Sequence, residues 1–186
     1  MRRNATAVTT TTHDMPRVTI FDVDGTLADV RPLRHLVVGK GRNLDAFHAA
    51  SAGATPNAPV VEALRAVRAA GDLAFVVTAR DGRWADLTLD WLDRHNIAFD
   101  GFCHRSTGDF RPDRIVKAEV LDMVSRHHRV VAAYDDRPSV VRLWHSRRIP
   151  VTIVGGWFDD TDPSCPPPLR HIGAGQALPT RYAEED

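Results

Sequence analysis

Two aspartates one residue apart, Asp22 and Asp24, stand at the end of an apolar run and are followed by Gly25 and Thr26. The run 18–29, VTIFDVDGTLAD, reads as a buried strand that delivers both carboxylates to its carboxyl end, where open α/β sheets bind ligands. Such a pair can hold a divalent cation while one carboxylate attacks and the other moves a proton. Thr78 and Arg80 close a second apolar run, LAFVVTAR, and offer a hydroxyl and a planar guanidinium suited to phosphoryl oxygens. Lys117 follows in PDRIVKAEVLDMV; it and Lys40 are the only lysines among 24 basic residues. Its compact ammonium can neutralise an aspartate that becomes phosphorylated. Asp135 and Asp136 end a third run, VVAAYDD, and add the hard oxygen ligands that Mg²⁺ takes. Together these groups describe phosphoryl chemistry.

Each group also has an ordinary structural use. Asp and Gly at a strand end make turns. Thr78 can cap the helix expected from about 83 to 95, and either member of the Asp135–Asp136 pair can cap the helix that starts near Pro138. Lys117 can sit on a solvated helix face, paired with Asp113 or Glu119. The order Asp-x-Asp, Thr, Lys, Asp-Asp, with three of the four groups at strand ends, favours a joint chemical role.

The elements that must position these residues alternate. A helix over 59–70 and a strand from Leu73 begin a βα series that continues through Cys103, Val130 and Val151, the pattern of an α/β doubly wound parallel sheet. Ile115, Ala118, Leu121 and Val124 fall on one face of the helix carrying Lys117. The expected organisation is a leader over 1–15, Thr-rich and disordered, a domain over 16–158, and a Pro-rich tail over 159–186. The stretch DDTDPSCPPPL in that tail admits no regular structure, and the tail serves as linker, oligomer contact or disordered end. An insert over about 28–58 carries Leu33, Leu36, Val37, Val38, Leu44 and Phe47, enough for a helix or two over the site but not for a large lid.

With 186 residues and 43% hydrophobic content, one domain can bury a core. The 24 acids balance the 24 bases, so no global basic field marks the chain for nucleic acid. Arg31, Arg34, Arg42, Arg80, Arg105 and Arg111 are expected to gather near the site, although codon bias accounts equally well for the abundance of arginine. Cys103 and Cys165 form neither a disulfide framework nor a metal spacing, and the histidines His13, His104, His127, His128 and His171 show no paired ligand pattern. No apolar run approaches the roughly 20 residues of a membrane span, and the N-terminus lacks the apolar core of a signal peptide, so a soluble cytoplasmic protein is expected. Gly39-Lys40-Gly41 does not complete the GxxxxGK[ST] phosphate loop of a kinase.

These motifs, in this order, resemble the phosphatases of the haloacid dehalogenase (HAD) superfamily over about 17–157. Between them, CHRSTGDFRPDRIVKAEV (103–120), YDDRPSVVRLW (134–144), PNAPVVEAL (56–64) and TLDWL (88–92) are similar to the phosphatase domain of bacteriophage polynucleotide kinase/phosphatase and its stand-alone phage relatives. The resemblance implies a HAD-type sheet with a short cap insert and a Mg²⁺-dependent phosphomonoesterase. In it Asp22 is the nucleophile that forms an aspartyl-phosphate, Asp24 the general acid and base, and Thr78, Arg80 and Lys117 the charge clamp. Asp113 orients Lys117 or Arg80. Mg²⁺ is held by Asp22, the backbone carbonyl of Asp24 and Asp135 or Asp136, with Gly25, Thr26 and Arg80 against the substrate. The family's insert arginine falls eleven positions after Asp22, at Leu33; its substrate-gripping role is assigned to Arg34 beside it. The implied substrate is a 3′-phosphate on a DNA or RNA end, with a separate kinase or ligase as partner and no membrane. A phosphatase of free nucleotides or other small phosphomonoesters is the alternative. A catalytically idle HAD fold acting as a binding module is a further one, disfavoured by the intact motif residues.

Overall fold

The computed structural model describes residues 15–155 and 169–183. The chain opens with β1 (Arg17–Phe21), then the insert: β2 (Ala28–Asp29), a 3-10 turn (Arg31–Leu36), α1 (Leu44–Ala50), a second 3-10 turn (Ser51–Gly53) and β3 (Thr55–Pro56). It continues through α2 (Ala58–Ala69), β4 (Leu73–Asp81), a 3-10 turn (Gly82–Trp84), α3 (Ala85–Arg94), β5 (Gly101–Arg105) and α4 (Asp113–Val124). Next come β6 (Arg129–Asp135), α5 (Pro138–Ser146), β7 (Val151–Val154), β8 (Leu169–Ile172) and α6 (Thr180–Ala183).

Six strands form one sheet in the order β5-β4-β1-β6-β7-β8, parallel except for the last pair. This is the doubly wound α/β arrangement expected from the alternation of apolar runs and helices. β1 lies inside the sheet, which explains its continuous apolar character: both faces are covered. Val18 and Ile20 point into a core with Val120, Leu121, Val140 and Trp144, from α4 and α5. Phe21 and Val23 point the other way, against Leu64, Trp91 and Leu92, from α2 and α3. The period of two thus turns one strand into the spine of two cores.

The insert is the short cap expected. β2 and β3 pair antiparallel at its base, and α1 is capped by the Asn43 side chain, which accepts from the Ala46 N–H at 2.9 Å. Phe47 anchors it in the core, and the Trp91 indole N–H of α3 donates to the Ala54 carbonyl at 2.8 Å. The cap therefore sits on the same helix layer that supports β4.

Three expectations change. β4 runs on to Asp81, so Thr78 lies within a strand rather than at its end, and its hydroxyl caps no helix. It accepts the Arg80 N–H at 3.2 Å, while Asp81 caps the following turn. On α4 the buried face is Val116, Lys117, Val120, Leu121 and Val124, rotated from the face predicted, and it carries Lys117 inward. The segment expected as an irregular tail contributes β8 to the sheet edge, and Tyr182 of α6 is buried in the core beside α5. Leader residues 1–14 and the segment 156–168, with most of DDTDPSCPPPL, lie outside the described residues. No described helix is long and apolar enough to cross a membrane.

Candidate active site

β1 ends beside β6, and Asp22 prolongs the ladder by one bond: its N–H donates to the Tyr134 carbonyl at 3.1 Å. The Phe21 and Tyr134 rings stack with centroids 4.7 Å apart, locking the two strand ends side by side. Asp22 therefore emerges next to Asp135 and Asp136. The chain then reverses through tight backbone bonds, Leu27 N–H to the Asp22 carbonyl at 3.2 Å and Ala28 N–H to the Val23 carbonyl at 2.8 Å. Gly25, at φ +84°, is required twice: the left-handed backbone disfavours a side chain, and a Cβ there would lie 2.2 Å from the Asp136 Oδ2. Thr26 is fully buried, and its hydroxyl has no hydrogen-bond partner among the described residues.

Lys117 reaches this cluster from one turn inside α4. Its Nζ donates to Asp22 Oδ1 at 2.6 Å and to Asp135 Oδ2 at 2.7 Å, and only 3% of its side chain is exposed. The same Asp135 oxygen accepts the Trp144 indole N–H at 3.2 Å, and the other accepts the Arg137 N–H at 3.1 Å. Asp135 is thus held by three protein donors. Asp136 makes no salt bridge among the described residues.

Ligand oxygens of Asp22, Asp135 and Asp136 lie within 4.8 Å of one another, all buried. Burial pushes the Asp22 carboxyl up to about 6 despite Lys117, and the negative charge of Asp135 adds to the rise. Burial, with repulsion from Asp22 and Asp135, drives Asp136 well above the carboxylate range. Burial opposes the charge on Lys117, yet Asp135 and Asp22 outweigh it and hold the ammonium proton more tightly than usual. Three carboxyl groups around one ammonium crowd hard oxygens into a desolvated space, and the mutual repulsion that raises Asp136 and Asp22 is what a divalent cation would relieve. The donor set fits Mg²⁺.

Asp24 faces elsewhere. Arg80 Nε donates to its Oδ2 at 2.8 Å and Arg80 Nη2 to its Oδ1 at 2.6 Å, a two-point ion pair. Burial works to raise the Asp24 pKa, but the Arg80 charge and its hydrogen bonds prevail and hold it below the usual value. Arg80 is itself 2% exposed and gives Nη1 to the Thr88 hydroxyl at 3.0 Å, which donates onward to the Trp84 carbonyl at 2.8 Å. Since the Asp24 carboxylate is committed to Arg80, only its backbone carbonyl is left to offer a cation.

Asp113 does not orient Lys117 or Arg80. It opens α4 facing the β5–α4 loop and pairs with both Arg105 and Arg137. Lys117, a turn further along the helix, is drawn instead to the two buried carboxylates. Arg34 is half-buried in the first 3-10 turn of the insert, where its carbonyl accepts the Val37 N–H. Arg31 beside it is paired with Asp29, and Arg111 with Asp109 and Glu119.

Sequence reading passed over several contributors. Thr88 and Trp144 entered the sequence reading only within the stretches TLDWL and YDDRPSVVRLW, with no role of their own; a buried indole N–H needs a partner, which Asp135 provides. His48 of α1 is half-buried, its Nδ1 without a hydrogen-bond partner among the described residues and its ring 5.8 Å from that of Trp84. Burial keeps it below the ordinary histidine value, with Arg80 and Arg83 adding to that effect and Asp24 opposing it.

A family model described as the polynucleotide kinase PNKP phosphatase domain, of HAD type, matches residues 16–156. The chain belongs to that family. Its HAD fold is shared with a chain of the Pnkp1/Rnl/Hen1 complex at TM-score 0.66 and 24% identity, over 83% of this chain and 51% of that one. The class C acid phosphatase from Bacillus anthracis, with tungstate bound, matches at TM-score 0.55 and 18% identity, over 68% of this chain and 54% of that one. A putative β-phosphoglucomutase from Thermotoga maritima matches at TM-score 0.51 and 20% identity, over 72% and 82% of the two chains. The chain spans about half the length of the Pnkp1 complex chain that it resembles. Membership of the PNKP phosphatase family makes this a HAD-type phosphatase domain, built around three buried aspartates able to bind a metal.

Proposed function

We propose that the protein is a Mg²⁺-dependent phosphomonoesterase that removes 3′-phosphates from DNA or RNA ends. The observation that carries the reading is Asp22 fixed at the carboxyl end of β1 against Lys117, with Asp24 two residues on in the grip of Arg80. Asp22 Oδ attacks phosphorus, the bond to the 3′-oxygen breaks, and an aspartyl-phosphate remains. Lys117, already bonded to Asp22, offsets the charge that accumulates there.

Asp24 donates a proton to the departing 3′-oxygen and then, as base, takes one from the water that releases phosphate. Its pairing with Arg80 supports this double role. When Arg80 turns to a phosphoryl oxygen, the Asp24 carboxylate loses its cation and binds a proton more readily, at the moment an acid is needed. Thr78 and Thr26, buried beside the cluster, and the Gly25 turn complete the wall against the phosphoryl group, and Arg34 extends the grip from the cap. Mg²⁺, held by Asp22, Asp136 and the Asp24 carbonyl with Asp135 behind them, would supply positive charge to the transferring oxygens.

A polynucleotide end as substrate rests on the family and on the small cap. Mg²⁺-dependent phosphate release is to be compared for a 3′-phosphorylated oligonucleotide, its 5′-phosphorylated counterpart and free 3′- and 5′-mononucleotides. Selective release from the 3′ end is expected. Equal or faster hydrolysis of mononucleotides would move the protein to small phosphomonoesters and leave only the scaffold in common with polynucleotide enzymes.

A further inference from the structure

Phe110 is 93% exposed, more than any other large apolar side chain among the described residues. A lone exposed phenylalanine is unremarkable on a pliable surface, but this one stands on a braced loop. Arg105 Nη1 donates to the carbonyls on either side of it, those of Asp109, at 3.0 Å, and Arg111. The Asp109 N–H donates to the Ser106 carbonyl at 3.0 Å, the Arg111 N–H to Asp109 Oδ1 at 2.9 Å, and the Gly108 N–H to Asp81 Oδ2 at 3.0 Å. The ring is therefore held out into solvent by backbone fixed on both sides.

The bracing leads to the chemical centre. The loop leaves the carboxyl end of β5, on the sheet edge that carries Asp22 and Arg80, and is anchored at Asp81, the residue after Arg80. Arg105 also pairs with Asp113, and Asp113 with Arg137, which directly follows Asp136. Two guanidiniums thus share the Asp113 carboxylate; Arg137 is about half exposed, and Arg114, the residue after Asp113, is exposed. Arg111 is paired with two acids, Asp109 and Glu119, so the cations this rim offers to solvent are Arg137 and Arg114. An exposed ring on braced backbone, with exposed arginines nearby, is the combination by which proteins hold single strands without reading sequence: bases stack and phosphates meet arginine.

We propose that Phe110 is a base-stacking platform, with Arg137 meeting a backbone phosphate, for the single-stranded end whose 3′-phosphate enters the Asp22 cluster. The inference rests on the polynucleotide reading above and adds where the strand lies.

The test measures binding of a fluorescently labelled, unphosphorylated single-stranded oligonucleotide by anisotropy, and kcat and KM on its 3′-phosphorylated form, for the wild type, Phe110→Ala and Phe110→Trp. The alanine variant should bind about five- to a hundredfold more weakly, with KM raised to match and kcat within about twofold. Its thermal midpoint should be unchanged, because the ring buries almost nothing. The tryptophan variant should restore affinity, with its indole fluorescence quenched as the oligonucleotide binds. Equal affinity for wild type and Phe110→Ala would overturn the proposal, as would a wild type that does not bind the strand. If the wild type binds but releases no 3′-phosphate, the polynucleotide phosphatase reading fails, while the affinity comparison still decides the stacking role.

Discussion

Arg80 holds Asp24 by two nearly equal hydrogen bonds, Nε to Oδ2 at 2.8 Å and Nη2 to Oδ1 at 2.6 Å, while Nη1 is fixed on Thr88. The guanidinium proposed to grip substrate is thus the group that keeps the proposed acid ionised until substrate arrives. Lysine cannot reproduce the fork, so Arg80→Lys should lower kcat/KM by roughly 10²-fold or more. Asp24→Asn should lower it by roughly 10²–10⁴-fold. Because the two act as a unit, the double variant should lose less than the product of the single losses. Steady-state kinetics on all four proteins checks this; independent, multiplying losses would break the coupling.

Lys117 is the only side-chain cation bonded to the buried Asp22 and Asp135 carboxylates among the described residues. Replacing it by methionine, of similar volume, leaves those charges without a counterion and should destabilise the fold by about 3–5 kcal/mol. Urea denaturation reads this directly. An unchanged midpoint would mean that Lys117 is not an electrostatic keystone of the site.

If Mg²⁺ fills the space between Asp22 and Asp136, it binds the folded chain and not the unfolded one. At a hundredfold excess over Kd it should then stabilise the wild type by about 3 kcal/mol, an effect that Asp136→Asn removes. Gly25→Ala forces a Cβ onto the Asp136 carboxylate and should weaken Mg²⁺ roughly ten- to a hundredfold. Thermal melts across a Mg²⁺ titration test both.

The strands of this fold were legible because β1, β4 and β6 are covered on both faces, so each reads as an unbroken apolar run that stops where Asp22, Arg80 and Asp135 begin. The partners of single charged groups were not. Asp113 and Lys117 lie one turn apart on α4, and nothing local says that one faces the β5–α4 loop and the other the buried carboxylates; that depends on how α4 lies against β6. β8 escaped notice for a different reason. LRHI is an edge strand with three of its four residues exposed, so it carries no hydrophobic period, and its hydrogen bonds to β7 are set by the sheet rather than by its own composition. Thr88 gains its role from Arg80, eight residues earlier on β4, whose guanidinium donates to its hydroxyl, and no local pattern announces that contact.

Asp100 joins α2 to the sheet: Arg68 donates to both of its oxygens at 2.9 Å, and the Ala74 N–H donates to one of them at 2.9 Å. The Arg68 hydrogen bonds chiefly, with that backbone bond, hold its carboxyl below the usual value. A folded pKa lower than the unfolded one gives stability that is fully present above the unfolded value, near 4, and is lost as pH falls through the folded one. Asp100→Asn should therefore lower stability at neutral pH and flatten its decline in acid. Urea midpoints measured from neutral pH down through about pH 3 should converge for the two proteins; parallel curves would contradict the assignment.

Phosphoryl transfer to Asp22 is the step that every proposed role of Asp24, Arg80 and Lys117 serves. The direct measurement is to quench the enzyme during turnover of a 3′-phosphorylated oligonucleotide with Mg²⁺ and locate the covalent phosphoryl group by peptide mass spectrometry. An acyl phosphate, cleaved by hydroxylamine, is expected on the peptide containing Asp22, with neither label nor turnover in Asp22→Asn. Label on another residue, or near-normal turnover by Asp22→Asn, would contradict it.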